Sequence, residues 1–557
     1  MTEGLVLEKN DIITLEIESF GAFGEGVAHA GGMAIFVPFA CPGETVEAHV
    51  LSVKKGYAYA KLNKVITPSN DRREPKCKHF YKCGGCDLQH LNYDSQLSLK
   101  TSSVKETLKR VGGVEIDDID IVGSKEFDCR NKLTLPFSLD KGRVSLGFYS
   151  ERSHRVVSIN ECPLSSWAEG VIKIFCDWAN EFKLPVYDEN TGRGVLRALS
   201  VRVAQDKFMF TLVTTSKKVV GIEKLSATIK NAYPDSILYL NINTRKTNVV
   251  LGEQNILIHG DNKLKSETLG VKYTLSPFSF SQVNDYIRDR LYTEVLDSLD
   301  DDTIVVDAYS GAGVMSVLVS RKASRVYGIE IIPDAVHDAD ETAKLNGVLD
   351  KITNIVGDCA IELPKLLKLI RKTHTGSVNI ILDPPRKGCD ESVLDAVVLC
   401  NPDKIIYVSC NPATLARDLK KLSTKYQIEK TKLFDMFPQT KHVETLVVLS
   451  HKKPDGHISV NVEFGEEEGQ VSLKDIEKRA KEREPKKKTT YKDIQAYIEE
   501  KYGFKVHTSY IAEVKRDLGL PMYDAPNAVE ELKKPRQHPT EKMVEAIKDA
   551  LKYFEII

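Results

Sequence analysis

The chain has 557 residues, too many for one hydrophobic core, so several domains are expected. Its 42% hydrophobic and 28% charged residues are the balance of a globular protein in water, and a net charge of −1 leaves any nucleic-acid binding to local basic patches. No apolar run is long enough for a bilayer, the N-terminus lacks a signal peptide's apolar core, and the eleven irregularly spread cysteines point to a reducing cytoplasm with no membrane partner.

From the N-terminus, "DIITLEIESFG", "AIFVPFA" and "ETVEAHVLSVKKGYAYAKL" alternate at period two, with "GAFGEG" and "AGG" as turns. Five or so short strands predict a small OB-type β-barrel over residues 1–68. A cysteine-bearing loop follows at 69–90, then an amphipathic helix around Tyr93–Val111. Mixed strands and helices over 125–260 complete a central α/β domain spanning 69–263. From 264 to 450 strand and helix alternate, which implies a Rossmann-like parallel sheet covered on both faces. The run "EKRAKEREPKKKTT" reads as a solvated linker within 451–489. Residues 490–557 read as a small helical extension, with two short amphipathic helices around Gly503. Lys492, Lys501, Lys505, His507, Lys515 and Arg516 would suit an RNA-binding add-on, and equally an ordinary solvated surface.

Cys77, Cys83 and Cys86 form C-x5-C-x2-C in "CKHFYKCGGCDLQH". Three clustered loop thiols invite oxidation unless they hold a metal. Zinc usually takes hooks of two to four intervening residues, whereas an iron–sulfur cubane tolerates a wider arm and one distant fourth cysteine. Cys162 in "INECPLSS" is the best fourth ligand, and spacing alone leaves zinc and cluster both open.

"TIVVDAYSGAGVMSVLVS" (303–320) is an apolar strand, Asp307, a glycine turn and a helix, and Gly311 and Gly313 would let a ligand approach the backbone closely. Glu330 follows about seventeen residues beyond Gly313, the spacing of a ribose-hydroxyl acceptor. Asp358 in "NIVGDC" and Asp383 in "VNIILDPPRKG" end the next two strands. The turn lacks the third glycine of a dinucleotide site, and cationic S-adenosylmethionine suits acidic strand ends better than phosphates do.

Ser-Cys-Asn-Pro (409–412) lies at the following strand end, which brings Cys410 near the methyl donor. A pyrimidine C5 attacks a sulfonium methyl only after a thiolate has added to C6, and a base must then remove the C5 proton. His442 and Glu444, just before the last strand, are candidates for that base. A buried packing thiol is the alternative role for Cys410.

DPPRKG (383–388), SCNP (409–412), HVET (442–445), the cysteine triplet and the barrel together resemble the bacterial RNA uracil-5-methyltransferases, most of all the iron–sulfur class that methylates 23S ribosomal RNA. The resemblance covers residues 1–450. It implies an N-terminal TRAM domain, a [4Fe-4S] cluster on Cys77, Cys83, Cys86 and Cys162, Cys410 as nucleophile and Glu444 as proton acceptor. It also implies donor contacts from Gln282 in "PFSFSQVN", Tyr309, Glu330 and Asp383, and a cytoplasmic monomer acting on 23S ribosomal RNA and not on DNA. The chain departs from many relatives at Ser310 and Val314, beside the donor turn. Competing expectations are the same chemistry on transfer RNA, a cytosine-5-methyltransferase using Cys389, an adenine N6-methyltransferase, and a non-catalytic RNA-binding scaffold. Arg386 stands where a cytosine enzyme would carry its second cysteine and an adenine enzyme its stacking aromatic. For RNA contacts, Lys54, Lys55, Tyr57 and Tyr59 of the barrel and the arginines of 151–157 and 193–203 are candidates.

Overall fold

A computed structural model describes residues 7–22, 24–151, 153–452, 491–518 and 538–554. The charged run read as a linker lies outside them. Contacts divide the chain into two units, Met1–Gly456 and His457–Ile557.

Period-two alternation folds the first segment into six strands rather than five: β1 (Ile12–Glu16), β2 (Ser19–Phe20), β3 (Gly26–Ala30), β4 (Met33–Val37), β5 (Thr45–Lys54) and β6 (Tyr57–Thr67), in the order β1-β5-β6-β4-β3-β2. Inward positions carry Ile35, Val37, Val46, Val50 and the small Ala28, Ala48, Ala58 and Ala60, which suit a narrow interior. On the outer face Phe36, Tyr57 and Tyr59 pack ring against ring at 5.5 to 6.1 Å, with Lys54 opposite Tyr57.

Helix α1 (Tyr93–Thr107) starts where Asn92 caps it, its side chain accepting from Ser95 N–H at 2.9 Å. It widens into a turn at Leu108–Gly112 and stops at left-handed Gly113. Strand β7 (Asp120–Val122) leaves this region to join a distant sheet. The central domain is a seven-stranded sheet of β8 (Lys132–Asp140), β9 (Arg143–Tyr149), β10 (Val156–Ser158), β11 (Leu196–Ala204), β12 (Lys207–Thr214), β13 (Ile237–Ile242) and β14 (Gln254–His259). Helices α2 (Ala168–Glu181) and α3 (Ile222–Ala232) bury Phe175, Trp178, Leu225 and Ile229 in the core they share with this sheet.

A hairpin, β15 (Leu264–Thr268) and β16 (Val271–Leu275), and helix α4 (Asp285–Asp297) lead into the third sheet. Its strands and helices alternate: β17 (Ile304–Ala308), α5 (Val314–Val319), β18 (Arg325–Glu330), α6 (Pro333–Leu345), β19 (Ile352–Val356), α7 (Cys359–Thr373), β20 (Val378–Leu382), α8 (Glu391–Cys400), β21 (Lys404–Ser409) and α9 (Pro412–Leu422). Strands β22 (Tyr426–Phe434) and β23 (Glu444–His451) complete it, in the order β19-β18-β17-β20-β21-β23-β22-β7. Alternate residues of β17 enter opposite cores, Val306 and Ala308 one, Val305 the other, as in a sheet covered on both faces. The sheet is not wholly parallel as expected: β23 runs antiparallel between β21 and β22, and β7 caps the far edge.

The second unit contains α10 (Tyr491–Tyr502), α11 (Thr508–Asp517) and α12 (Glu541–Tyr553) around Ile498, Ile511, Val514, Ile547 and Leu551. Among the described residues no helix is long and apolar enough to cross a membrane.

One buried ion pair ties α1 to the third sheet. Lys100 donates to Asp435 and to the Phe437 carbonyl (3.1 Å), and Tyr93 donates its hydroxyl to the other Asp435 oxygen (2.7 Å); both charged side chains are fully buried. Breaking one partner strands the other charge, so Lys100→Met is expected to lower stability by about 3–5 kcal/mol. Lys100→Met combined with Asp435→Leu should recover a large part, as read by thermal unfolding.

Candidate active site

In the third sheet, strand order reverses between β17 and β20, so their carboxyl ends flank a crevice where doubly wound sheets bind ligands. A cavity of about 720 Å³, counting space open to solvent, lies there, lined by Asp307, Tyr309, Gly311, Asp383, Tyr273 and Arg288 among others. Asp307 accepts from Ser316 Oγ at 2.6 Å, yet burial, with the nearby Glu330 charge, pushes it up to about 7. Asp383 is raised by burial and by Asp307. Two carboxylates held partly neutral beside one cavity favour a cationic ligand, whose charge would relieve both. This chemistry fits a sulfonium donor.

The turn itself is constrained. Tyr309 has a left-handed backbone (φ 68°), a strain of about 1–3 kcal/mol for a bulky residue. Gly311 (φ 54°) would meet nothing within 4 Å if it carried a Cβ, and so presents bare backbone to the cavity. At Gly313 (φ 73°) a Cβ would stand 2.7 Å from the Ala339 Cβ, so this glycine serves the packing of α5 on α6.

Asp307, Tyr309, Gly311 and Asp383 thus line the cavity, whereas Gly313, Gln282, Glu330 and Asp358 do not. Gln282 is buried one residue beyond Ser281, which does line it. Glu330 accepts from Gly311 N–H (3.1 Å) and Ile332 N–H (2.9 Å), which fixes its carboxylate at the edge of the turn. Asp358 caps α7, accepting from Ala360 N–H at 2.9 Å. Sequence reading missed Tyr273, Arg288 and Tyr292. The spacing of four between Arg288 and Tyr292 on α4, one helix face, was the available signal. Arg288 is neutralised by Asp285 (2.5 Å) and Asp289 (2.8 Å), and donates to the Tyr273 hydroxyl at 3.1 Å.

Cys410 follows β21, and Glu444 opens β23. The antiparallel ladder pairs Ser409 with Thr445, so the next step sets Cys410 opposite Glu444. Asn411 ties this corner to the Asp-Pro-Pro-Arg strand end, capping α9 through Ala413 N–H (3.1 Å) and donating to the Arg386 carbonyl (3.0 Å). Burial, then the Glu444 and Asp383 charges, push the Cys410 thiol up to about 11, while the Arg386 guanidinium, which hydrogen-bonds it, pulls the other way. Glu444 is 3% exposed, and burial together with Asp383 raises its carboxyl well above the usual range against the opposing pull of Arg386. The free protein therefore favours a thiol over a thiolate, beside carboxyls whose hold on a proton is raised. Burial and neighbouring Arg386 keep His442 below the ordinary histidine range, hence neutral. Cys389 is buried, its N–H donated to Asp418 (2.9 Å) and its thiol against Tyr407 and Tyr309.

Elsewhere, Cys77, Cys83, Cys86 and Cys162 line one cavity of about 440 Å³, again counting space open to solvent, with Leu133, Phe148 and Leu164 among its apolar walls. Gly84 lets the loop press against the central sheet, donating to the Tyr149 carbonyl (3.1 Å) where a Cβ would lie 2.6 Å from that oxygen. Burial raises all four thiols, Cys83 to about 11, and the neighbouring sulfurs raise Cys83, Cys86 and Cys162 further. Among the described residues no group of three or more His, Cys, Asp or Glu is disposed to hold a metal ion, so neither of the metal geometries left open by the spacing is preformed. The amide nitrogen of Gln89, on the same wall, is buried with no oxygen or nitrogen acceptor and lies against the Cys86 thiol. Four thiols around a space, with an amide donor facing it, fit a sulfur-rich anionic group. Cys176 lies apart, packed against the central core.

The family described as tRNA (Uracil-5-)-methyltransferase matches residues 217–452, and the TRAM domain family matches residues 7–62. An uncharacterized RNA methyltransferase of Clostridium tetani is 38% identical over 459 residues, covering 81% of this chain and 99% of its own. A relative from Halalkalibacterium halodurans with the same description is 36% identical over 455 residues, covering 80% and 98%. Among solved structures, the Pyrococcus abyssi tRNA (uracil-54, C5)-methyltransferase in complex with S-adenosyl-L-homocysteine superposes with a TM-score of 0.62 at 27% identity, over 78% of this chain and 100% of that one.

Alkylation of Cys410, followed by peptide mass spectrometry, should quicken about tenfold per pH unit towards its raised pKa. Removing the negative neighbour in Glu444→Gln should speed the reaction at pH 9, and removing the positive one in Arg386→Gln should slow it. Equal rates in all three proteins would mean that neither group faces the thiol.

Proposed function

The chain belongs to the RNA (uracil-5-)-methyltransferase family, with a TRAM domain and an S-adenosylmethionine-dependent methyltransferase fold, and from that premise we propose that it methylates C5 of a uridine in 23S ribosomal RNA through a covalent adduct on Cys410. The observation that carries this reading is the facing pair Cys410 and Glu444, both within reach of the charge of Asp383, which lines the cavity with Asp307.

The target base must leave its stack before Cys410 can reach it. Cys410 Sγ, as thiolate, adds to C6, and the displaced electron pair passes through C5 to O4, making C5 nucleophilic. S-adenosylmethionine, when bound, would supply an electrophilic methyl to C5, the electron pair of the broken S–CH3 bond staying on sulfur as a neutral thioether. Glu444, once ionised, takes the C5 proton, the C6–Sγ bond breaks, and the thiolate is restored. Asp307, Tyr309, Gly311 and Asp383 would meet the donor directly, and Gln282, Gly313, Glu330 and Asp358 would hold the surrounding turn. Cys389, locked among Tyr407, Tyr309 and Asp418, is poorly placed for the second thiol of a cytosine enzyme.

Transfer RNA is the second reading, favoured by the likeness to an enzyme described as acting on uracil 54 of transfer RNA. Mapping 5-methyluridine in both RNAs from cells lacking the protein separates the two. The same proposal takes the protein to be a cytoplasmic monomer with its barrel face of Phe36, Tyr57 and Tyr59 towards RNA.

Cys77, Cys83, Cys86 and Cys162 would hold a [4Fe-4S] cluster, which would supply a clamp between the cysteine loop and the central sheet. Anaerobically purified protein is expected to contain iron. Cys162→Ala should lose it, and Cys176→Ala should keep it; zinc in place of iron would refute the cluster.

For the chemistry, Cys410→Ala should abolish methylation and any RNA adduct. Glu444→Gln should still permit addition and methyl transfer but stall elimination, leaving a protein–RNA species that survives a denaturing gel. An active Cys410→Ala protein would end the covalent mechanism.

A further inference from the structure

We propose that Gln89 donates a hydrogen bond to the sulfurs of the group held by Cys77, Cys83, Cys86 and Cys162 and thereby raises its electron affinity; the proposal rests on the cluster reading above. Gln89 follows Cys86 by three residues and is 1% exposed. Its side-chain oxygen accepts from Cys77 N–H at 3.0 Å, so the oxygen and nitrogen ends of the amide are assigned by a donor that only the oxygen can satisfy. Its backbone carbonyl is held as well, accepting from Arg73 Nε at 3.2 Å.

With both anchors fixed, the amide nitrogen has no oxygen partner and lies against the Cys86 thiol, and Gln89 forms part of the wall of the four-thiol cavity. Protein oxygens satisfy neither of its N–H bonds there. Of the acceptors lining the cavity, the Glu161 carboxylate is paired with Lys78 at 2.9 Å, and the Cys86 sulfur is the one that meets the Gln89 side chain. A thiolate or inorganic sulfide gains negative charge when such a cluster takes up an electron, so an N–H donor favours the reduced form. The amide thus completes the site from outside the ligand set, as a tuning group and not a ligand.

The test uses the full chain, purified anaerobically as wild type, Gln89→Leu and Gln89→Glu, with iron assayed and the cluster titrated with dithionite under electron paramagnetic resonance. Gln89→Glu keeps the acceptor for Cys77 N–H and replaces the donor by an oxygen, so it isolates the nitrogen. Both variants should show a more negative midpoint potential than wild type, Gln89→Glu the lower of the two. Loaded variants with the wild-type potential would overturn the role of Gln89 while leaving the cluster in place. A wild type without iron would overturn the cluster reading, and this proposal with it. Should one variant fail to load, the midpoint potential of the other decides, and iron–sulfur stretching bands of the wild type that stay fixed when water is exchanged for D2O would refute the hydrogen bond.

Discussion

The position of Glu444 depends on the loop before it, and that loop is held from the other end of the chain. Gln439, at a left-handed backbone (φ 67°), accepts at its carbonyl from the N–H groups of Asp87 and Leu88, each at 2.9 Å. Its side-chain oxygen accepts from Gln96 (3.0 Å) and Arg73 (3.1 Å). Together with Lys100 on Asp435, these bonds make the cysteine loop and α1 into a clasp over residues 435–442. A buried carboxyl whose proton affinity is set by neighbours needs such fixing, since its environment changes steeply with small displacements.

The electrostatics of the candidate site follow one logic. Burial disfavours the ionised forms of Asp307, Asp383, Glu444 and Cys410 together, and Arg386 alone opposes it at the thiol. The resting protein is therefore poorly reactive. A cation entering beside Asp307 and Asp383 would favour their ionised forms and at the same time offset their charge.

Much of this was legible in the sequence because strand ends impose residue types. Acidic residues closing successive apolar strands, and a cysteine at a polar corner, are visible without coordinates, and so were the alternating barrel strands. What stayed hidden was set by long-range packing. Gly313 carries the same glycine signature as Gly311, but only the approach of Ala339 distinguishes its purpose. Arg288 and Tyr273 reach the cavity from elements whose local pattern speaks of core and ion pairing. The raised affinity of Glu444 for its proton belongs to burial, which no motif records. The antiparallel β23 was concealed because an apolar run reads alike in either direction.

Strand β7 illustrates how far such packing extends. Its three residues pair Asp120, Ile121 and Val122 with Lys432, Leu433 and Phe434, at the edge of a sheet whose other strands all lie beyond residue 300. During synthesis this strand emerges long before its partner and must wait for it. A fragment beginning at residue 264 would have every loop of the donor crevice, yet would leave the hydrogen-bonding edge of β22 open to other chains. The third sheet is therefore closed at that edge by a strand from far earlier in the chain.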